Sequence, residues 1–255
     1  AAGSSSIALG NARASGADSF AAGIASNSSS YGASGASSIA MGYLAKATGN
    51  YSEAIGFQAT STNTHSVAIG RGTNSSGANG SVALGYYADA DGQSSIALGH
   101  RSKSRIIGEL AFASSSITGD NGDSQTAIRV LISETTDATA KALTTNNSTA
   151  STDNQVVLPN NSAFAFHGTI VARQQAADGT ACAAWKVEGL IRREGSAGTT
   201  VLVNSATTVL DNTPNWGLAL SADTTNGGLK IEATGAASTD IRWVATIHTS
   251  EVTYA

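Results

Sequence analysis

Ser66-Val67-Ala68-Ile69-Gly70 decides how the first hundred residues of this 255-residue chain are read, because it does not stand alone. The pattern returns as Ser6-Ile7-Ala8-Leu9-Gly10, Ser38-Ile39-Ala40-Met41-Gly42, Ser81-Val82-Ala83-Leu84-Gly85 and Ser95-Ile96-Ala97-Leu98-Gly99. Ser19-Phe20-Ala21-Ala22-Gly23 and Ser52-Glu53-Ala54-Ile55-Gly56 are looser copies. The closing glycines stand at 10, 23, 42, 56, 70, 85 and 99, so the steps are 13, 19, 14, 14, 15 and 14 residues. A repeat this short is one coil of a solenoid rather than a domain.

Strand alternation puts Val67 and Ile69 on one face and Ser66, Ala68 and Gly70 on the other. The bulky set across the copies is Ile7, Leu9, Ile39, Met41, Val67, Ile69, Val82, Leu84, Ile96 and Leu98. A coil this short has a narrow interior, which suits the small set and leaves the bulky set in need of a second burial surface. Monomers avoid exposed apolar stripes of that length, and further copies of the same chain are the simplest cover. A second punctuation, Gly49, Gly77 and Gly92, falls seven residues after Gly42, Gly70 and Gly85. It implies two short strands per coil, with glycine giving a positive φ or a close backbone approach at the turn. The stretch 24–37 is irregular.

Charged residues make up only 13% of the chain, glycine contributes 28 residues, and the net charge is -4. That composition favours an all-β chain of small residues over helices. It also argues against a nucleic-acid partner held by phosphate neutralisation. No apolar run approaches the roughly 20 residues of a membrane helix. Ala1-Ala2-Gly3 has no initiator Met, so a longer parent protein is expected. The single cysteine, Cys182, excludes an intrachain disulfide framework.

The array over residues 4–104 resembles the YadA-like head repeat of trimeric autotransporter adhesins, which also occurs in phage tail fibres. The resemblance rests on the Ser-x-Ala-x-Gly unit and its 14-residue spacing. It implies a left-handed parallel β-roll in a tight homotrimer. The 19-residue step and Glu53, at a position normally apolar, depart from the family pattern. His100-Arg101-Ser102-Lys103-Ser104-Arg105 then breaks the repeat and reads as a solvated neck, with a basic binding patch as the alternative.

From Ile106 the character changes, giving an expected division into a repeat shaft, 1–105, and a C-terminal β-sandwich tip of jelly-roll type, 106–255. The run 126–132 reads as a strand with Ile128, Val130 and Ile132 inward. Further strands are expected at 164–172, 180–193, 199–210, 216–221, 229–234 and 241–249. Turn clusters such as Asp120-Asn121-Gly122-Asp123, Asp178-Gly179 and Asn226-Gly227-Gly228 separate them. The tip resembles, by order of parts alone, the distal domains that end phage tail fibres.

No catalytic constellation stands out. His65, His100, His167 and His248 are scattered, and no metal or cofactor is expected. Cys182, flanked by alanines, reads as a buried small hydrophobe. Asp120 to Asp123 is oxygen-rich but reads as a hairpin turn. Glycoside hydrolysis needs two carboxylates a few Å apart, and neither Glu188 with Glu194 nor Asp211 with Asp223 is singled out locally. Trp185 and Trp243 fall on apolar faces and read as core or subunit-interface packing. Trp216, after Asn212-Thr213-Pro214-Asn215, reads first as structural packing and, as the alternative, is the candidate sugar-stacking residue, with Asn215 and Asp211 as its polar companions.

The expectation is therefore a non-enzymatic, homotrimeric distal piece of a bacteriophage tail fibre, carried on the virion outside the cell. Its partners would be upstream fibre parts and a host-surface receptor, either a glycan or an outer-membrane component. A bacterial trimeric autotransporter adhesin head and a polysaccharide-degrading tailspike are the alternatives.

Overall fold

The computed structural model describes residues 2–23, 30–175 and 181–254. Part of the irregular stretch, 24–29, and the turn expected at Asp178-Gly179 lie outside them. The fold is all-β; a single 3-10 turn, Ala197–Thr199, is the only helical element among the described residues. Two compact units are present, Ala1–Gln125 and Thr126–Ala255, and the division falls inside the strand Ser124–Thr135.

The first unit is a β-solenoid. Its front ladder stacks Ile7–Gly10, Phe20–Gly23, Ile39–Met41, Glu53–Ile55, Val67–Arg71, Val82–Tyr86, Ile96–His100 and Leu110–Ala113 in parallel. Its back ladder, six-stranded, stacks Gly32–Ala33, Lys46–Ala47, Thr60–Ser61, Asn74–Ser75, Asp89–Ala90 and Lys103–Ser104. Equivalent repeat positions pair directly: Ala54 faces Ala68, Ala68 faces Ala83 and Ala83 faces Ala97. Both family departures are absorbed without loss of register. Phe20 pairs with Ile39 across the 19-residue step, and Glu53 pairs with Ile39 and Val67.

Between the ladders there is room only for methyl groups and hydroxyls. Ala40, Ala54, Ala68, Ala83 and Ala97 from the front meet Ala33, Ala47, Ser61, Ser75, Ala90 and Ser104 from the back, all essentially inaccessible. A buried hydroxyl must find a partner or cost about 1–3 kcal/mol. The repeat serine meets that demand by donating to the carbonyl three residues earlier. Ser38 reaches Gly35 at 2.7 Å, Ser52 reaches Gly49 at 2.7 Å and Ser95 reaches Gly92 at 2.7 Å. The serine is therefore a turn lock as well as a small filler.

The mid-coil glycines serve close approach and not positive φ. A Cβ on Gly49 would overlap the carbonyl of Asn63, and one on Gly92 the carbonyl of Ile106. One set of left-handed residues stands just before the repeat serine, where Ser37, Tyr51, His65 and Ser94 have φ of 54°, 57°, 58° and 53°, and a second stands two residues after the closing glycine, at Leu44, Gln58, Tyr87 and Arg101. Each such residue costs roughly 1–2 kcal/mol, offset by ladder hydrogen bonds such as Tyr51 N–H to Ala36 O at 2.8 Å.

The ladder continues past residue 105, through what sequence read as a neck. Lys103 and Ser104 pair with Asp89 and Ala90, Ile106 is buried, and Leu110, Ala111, Phe112 and Ala113 pair with Ile96 to Gly99. Glu109-Leu110-Ala111-Phe112-Ala113 is thus a degenerate eighth copy, with Glu in the serine place and Ala in the glycine place. Glu109 locks its turn with the opposite polarity: its carboxylate accepts from the N–H of Arg105 at 2.6 Å and of Ile106 at 3.0 Å.

The second unit has one long antiparallel sheet in the order Ser124–Thr135, Ile241–Thr253, Ser162–Gln174, Cys182–Arg193, Val201–Asp211. A small sheet sets Gly228–Thr234 beside Lys141–Ala142, Val156–Val157 and Gly217–Asp223. Alternation aims Phe164, Phe166 and Ile170, Trp185 and Ile191, and Trp243 and Ile247 to one side, where they meet Val156, Leu229 and Ile231 of the small sheet. Within 137–143 only Lys141–Ala142 joins that small sheet, after a run of bends.

The parity read for 126–132 is reversed. Ala127, Arg129 and Leu131 are buried, whereas Val130 is 48% exposed and Ile128 and Ile132 are half-buried. Arg129 owes its inward place to a carboxylate waiting there, which no local pattern announces.

Gly70 and Gly108 separate the two demands on glycine. Gly70 has φ +133° and an added Cβ would overlap the Gly85 carbonyl; Gly108 has φ +70° with open space around it. Gly70→Ala is expected to cost roughly 2–4 kcal/mol and Gly108→Ala about 1 kcal/mol, read from urea unfolding midpoints.

Candidate functional site

The outer face of the long sheet in the second unit holds a polar island. Register sets His248, His167 and Glu188 in one row across three strands, and Thr246, Thr169 and Lys186 in the next. The imidazoles of His167 and His248 stack at 5.2 Å with an 8° interplanar angle. Rings stacked in this way present their nitrogens side by side and do not converge on one point. Among the described residues no group of three His, Cys, Asp or Glu side chains is placed to hold a metal. Aliphatic neighbours flank the island: Val171 and Val244 pair across strands on one side, and Leu190 lies on the other. The result is an open, shallow surface offering two imidazoles, one carboxylate, one ammonium and two hydroxyls. It suits hydrogen bonding to a polyhydroxylated surface better than enclosing a small molecule.

The residues expected to bind sugar are not brought together in that way. Trp216 is only 5% exposed and packs on Trp243 at 5.8 Å, so its ring belongs to the core and not to the surface expected of a stacking platform. Asn212 fixes this arrangement, accepting from the Trp216 N–H at 2.8 Å and donating to the Trp216 carbonyl at 2.7 Å. Asn215 is exposed with φ +58°, and Asp211 is exposed, accepting from Thr213 N–H and Oγ1 at 3.1 and 2.8 Å. Trp185 stacks on Trp243 at 5.6 Å, and Trp243 donates from Nε1 to Thr135 Oγ1 at 2.9 Å, so both lie in the core as read from their alternation.

Cys182 is exposed rather than buried. Its alanine neighbours suggested a core, but Ala183, Trp185 and Val187 take the inward positions and force Cys182 outward. The His167–His248 pair joins residues far apart in sequence, and only strand register could have revealed it.

Of the carboxylates raised as hydrolytic candidates, Glu194, Asp211 and Asp223 each have local partners of their own. Glu188 lies in the island, Glu194 pairs with Arg192, and Asp211 holds its own turn. Burial by itself pushes the Asp223 carboxyl up, but hydrogen bonds from Gln155, Asn226 and Thr225 outweigh it and hold it below the usual carboxylate range. Asp123 behaves alike: burial is opposed by the backbone and hydroxyl of Thr118, the hydroxyl of Ser124 and the N–H of Ile117. The oxygen-rich run 120–123 therefore spends its last carboxylate on closing its own loop.

Beneath the sheet lies a charge cluster that sequence did not disclose. Arg129 donates from Nη2 to Glu251 Oε1 at 2.7 Å and from Nη1 to Thr249 Oγ1 at 2.8 Å, and its guanidinium sits 5.8 Å from the Phe164 ring centre. Both charged side chains are almost wholly inaccessible.

The YadA head domain repeat matches this chain over residues 33–59, 54–73 and 75–102, within the β-solenoid. No curated protein matches. Among solved structures, a tailspike protein of Acinetobacter baumannii bacteriophage Fri1, described as a capsular polysaccharide depolymerase, is 11% identical over 96% of this chain, with a TM-score of 0.31. The tailspikes of Acinetobacter phage vB_ApiP_P1 and Acinetobacter baumannii phage AM24 are 11% and 10% identical, with TM-scores of 0.26 and 0.23. This chain spans 43%, 51% and 47% of those three chains respectively. Likenesses this slight say nothing of activity.

Removing one member of a buried pair strands the other charge, at a typical cost of 3–5 kcal/mol. Glu251→Ala should therefore lose about that much stability, and Arg129→Met with Glu251→Leu should recover most of it, read from thermal unfolding of the two variants.

Proposed function

We propose that this chain is the distal part of a trimeric bacteriophage tail fibre, acting by attachment and not by catalysis. One observation carries the reading: the solenoid is amphipathic in the wrong way for a monomer. Its back ladder turns Lys46, Thr60, Asn74 and Lys103 outward, a polar column suited to water, with Asp89 buried against Asn74 and Lys103. Its front ladder turns outward the bulky repeat set, with Ile7 and Leu9 55% exposed, Met41 39%, Ile69 38%, Ile96 37% and Phe112 50%. An apolar strip repeated on every coil is burial surface without a cover, and two further copies of the chain supply one. The YadA head repeat in residues 33–102 supports this assembly.

In this reading the C-terminal unit is a two-sheet sandwich that faces the host, with the division of labour near the end of the solenoid. Its shared core between the long and small sheets supports the sandwich. The polar island of His167, His248, Glu188, Lys186, Thr169 and Thr246 is the proposed receptor contact, and a host-surface glycan is the proposed receptor. Three copies turn weak single contacts into avid attachment to a multivalent surface. The protein would then lie outside the cell, on the virion.

A bacterial trimeric autotransporter adhesin head is the second reading, favoured by the same YadA repeat. An antiparallel β-unit following the solenoid, where that family's head would pass to a coiled-coil stalk, weighs toward the fibre.

Labelled full chain should bind host cells. Deleting 126–255 should weaken binding at least roughly 10-fold through loss of the tip contacts, deleting the coil 57–70 should leave it intact, and no reducing ends should be released from host polysaccharide. Undiminished binding without 126–255, or released reducing ends, would overturn the reading.

A further inference from the structure

At one corner of the solenoid the first residues after the closing glycines form a continuous column. Tyr43 stacks on Phe57 at 5.2 Å. The Arg71 guanidinium lies between the Phe57 and Tyr86 rings, 5.4 Å from each centre. Tyr86 in turn stacks on His100 at 4.9 Å. Around the corner Tyr87 meets Tyr86 edge-on at 4.7 Å, and Arg101 lies 4.8 Å over the Tyr87 ring. Two guanidiniums and an imidazole are thus gathered about a tyrosine pair.

We propose that this corner, formed by Arg71, Tyr86, Tyr87, His100 and Arg101, binds the carboxylate or sulfate of an acidic saccharide. The first argument is charge. Neither Arg71 nor Arg101 makes an ion pair among the described residues, whereas Lys103, nearby in sequence, is held by Asp89 and Asp91 at 2.8 Å each on the back ladder. Two unneutralised guanidiniums in a chain of net charge -4 form a local exception to its electrostatics.

The second argument is preorganisation. An arginine whose planar face rests on aromatic rings keeps its N–H edge free, and that edge matches the two oxygens of a carboxylate or sulfate. Arg71, held between two rings, loses little further side-chain freedom on binding. Arg101 is steadied by Tyr87 and by a 3.4 Å contact from Nη1 to Asn121 Oδ1. The His100 ring, stacked on Tyr86, holds that phenol in place beside the guanidiniums. The phenol edge of Tyr86, 36% exposed, offers a polar and apolar border suited to a sugar ring beside the anion.

Position supports a ligand rather than burial. These residues stand at the ends of the front strands, where the apolar face gives way to the turn, so they form a rim and not the centre of the proposed subunit contact. Only coils that carry Arg71, Tyr86 and His100 in register complete the cluster, since the corresponding Tyr43 and Phe57 bring no charge.

The full chain should be titrated with heparin, polygalacturonate and neutral dextran in about 50 mM salt, where exposed charges are little screened. Heparin, polygalacturonate or both should bind and dextran should not; binding of heparin alone assigns the anion as sulfate, of polygalacturonate alone as carboxylate. Arg71→Gln with Arg101→Gln should weaken binding roughly 10-fold or more, with sedimentation mass and thermal midpoint unchanged. Arg13→Gln with Lys46→Gln removes the same net charge elsewhere on the solenoid and should leave affinity unchanged. Equal loss in the two double variants, equal binding of dextran, or no binding of either polyanion overturns the proposal.

Discussion

Two short parallel ladders held close enough that only a methyl or a hydroxyl fits between them set the terms for the solenoid. That spacing excludes Val, Ile and Leu from the interior, so the chain has no conventional core there. It places alanine and serine between the ladders and drives the large apolar side chains of the front repeat strands outward. It also brings successive turns so close that the glycines at 49, 70 and 92 have no room for a Cβ. The serine hydroxyls, lacking water, must bond to turn carbonyls, and this fixes the turn geometry coil after coil. The absence of helix, the strict register and the unmet apolar face follow from the same lack of space.

The second unit solves burial in the ordinary way. Three tryptophans and a set of aliphatic residues from the long and small sheets gather in one buried cluster, and no repeat is needed. One chain thus contains a part that is well ordered by repetition yet carries its bulk on the outside, and a part with a closed core and an irregular outer face. The first kind of surface suits pairing with identical copies, because every coil presents the same edge. The second suits recognition, because no two rows of its outer face are alike.

Much of the solenoid was legible because its signal is local. Five-residue units with alternating bulk and a steady spacing declare strands, faces and coil length together. The eighth copy escaped because Glu109 and Ala113 replace the residues that mark a unit, although the ladder accepts both. The mid-coil glycines were seen, but whether they answered a φ or a clash depended on the neighbouring coil, which a linear reading does not contain. The C-terminal strands were found by their alternation, yet 126–132 was read the wrong way round, because Arg129 is buried by Glu251 from a strand more than a hundred residues away. The same distance hid the pairing of His167 with His248. Trp216 stayed open to a sugar-stacking reading because its neighbours are turn residues, while its packing partner Trp243 lies in another strand.

If the thinness of the coil governs the molecule, the outward apolar set must be covered in solution. The most direct test is the sedimentation-equilibrium mass of the full chain, diluted from micromolar to nanomolar concentration. A mass three times the 25.4 kDa of one chain, held throughout the dilution, is the predicted result. A monomer that stays folded and soluble at micromolar concentration would contradict the account, since the front face would then be stable in water.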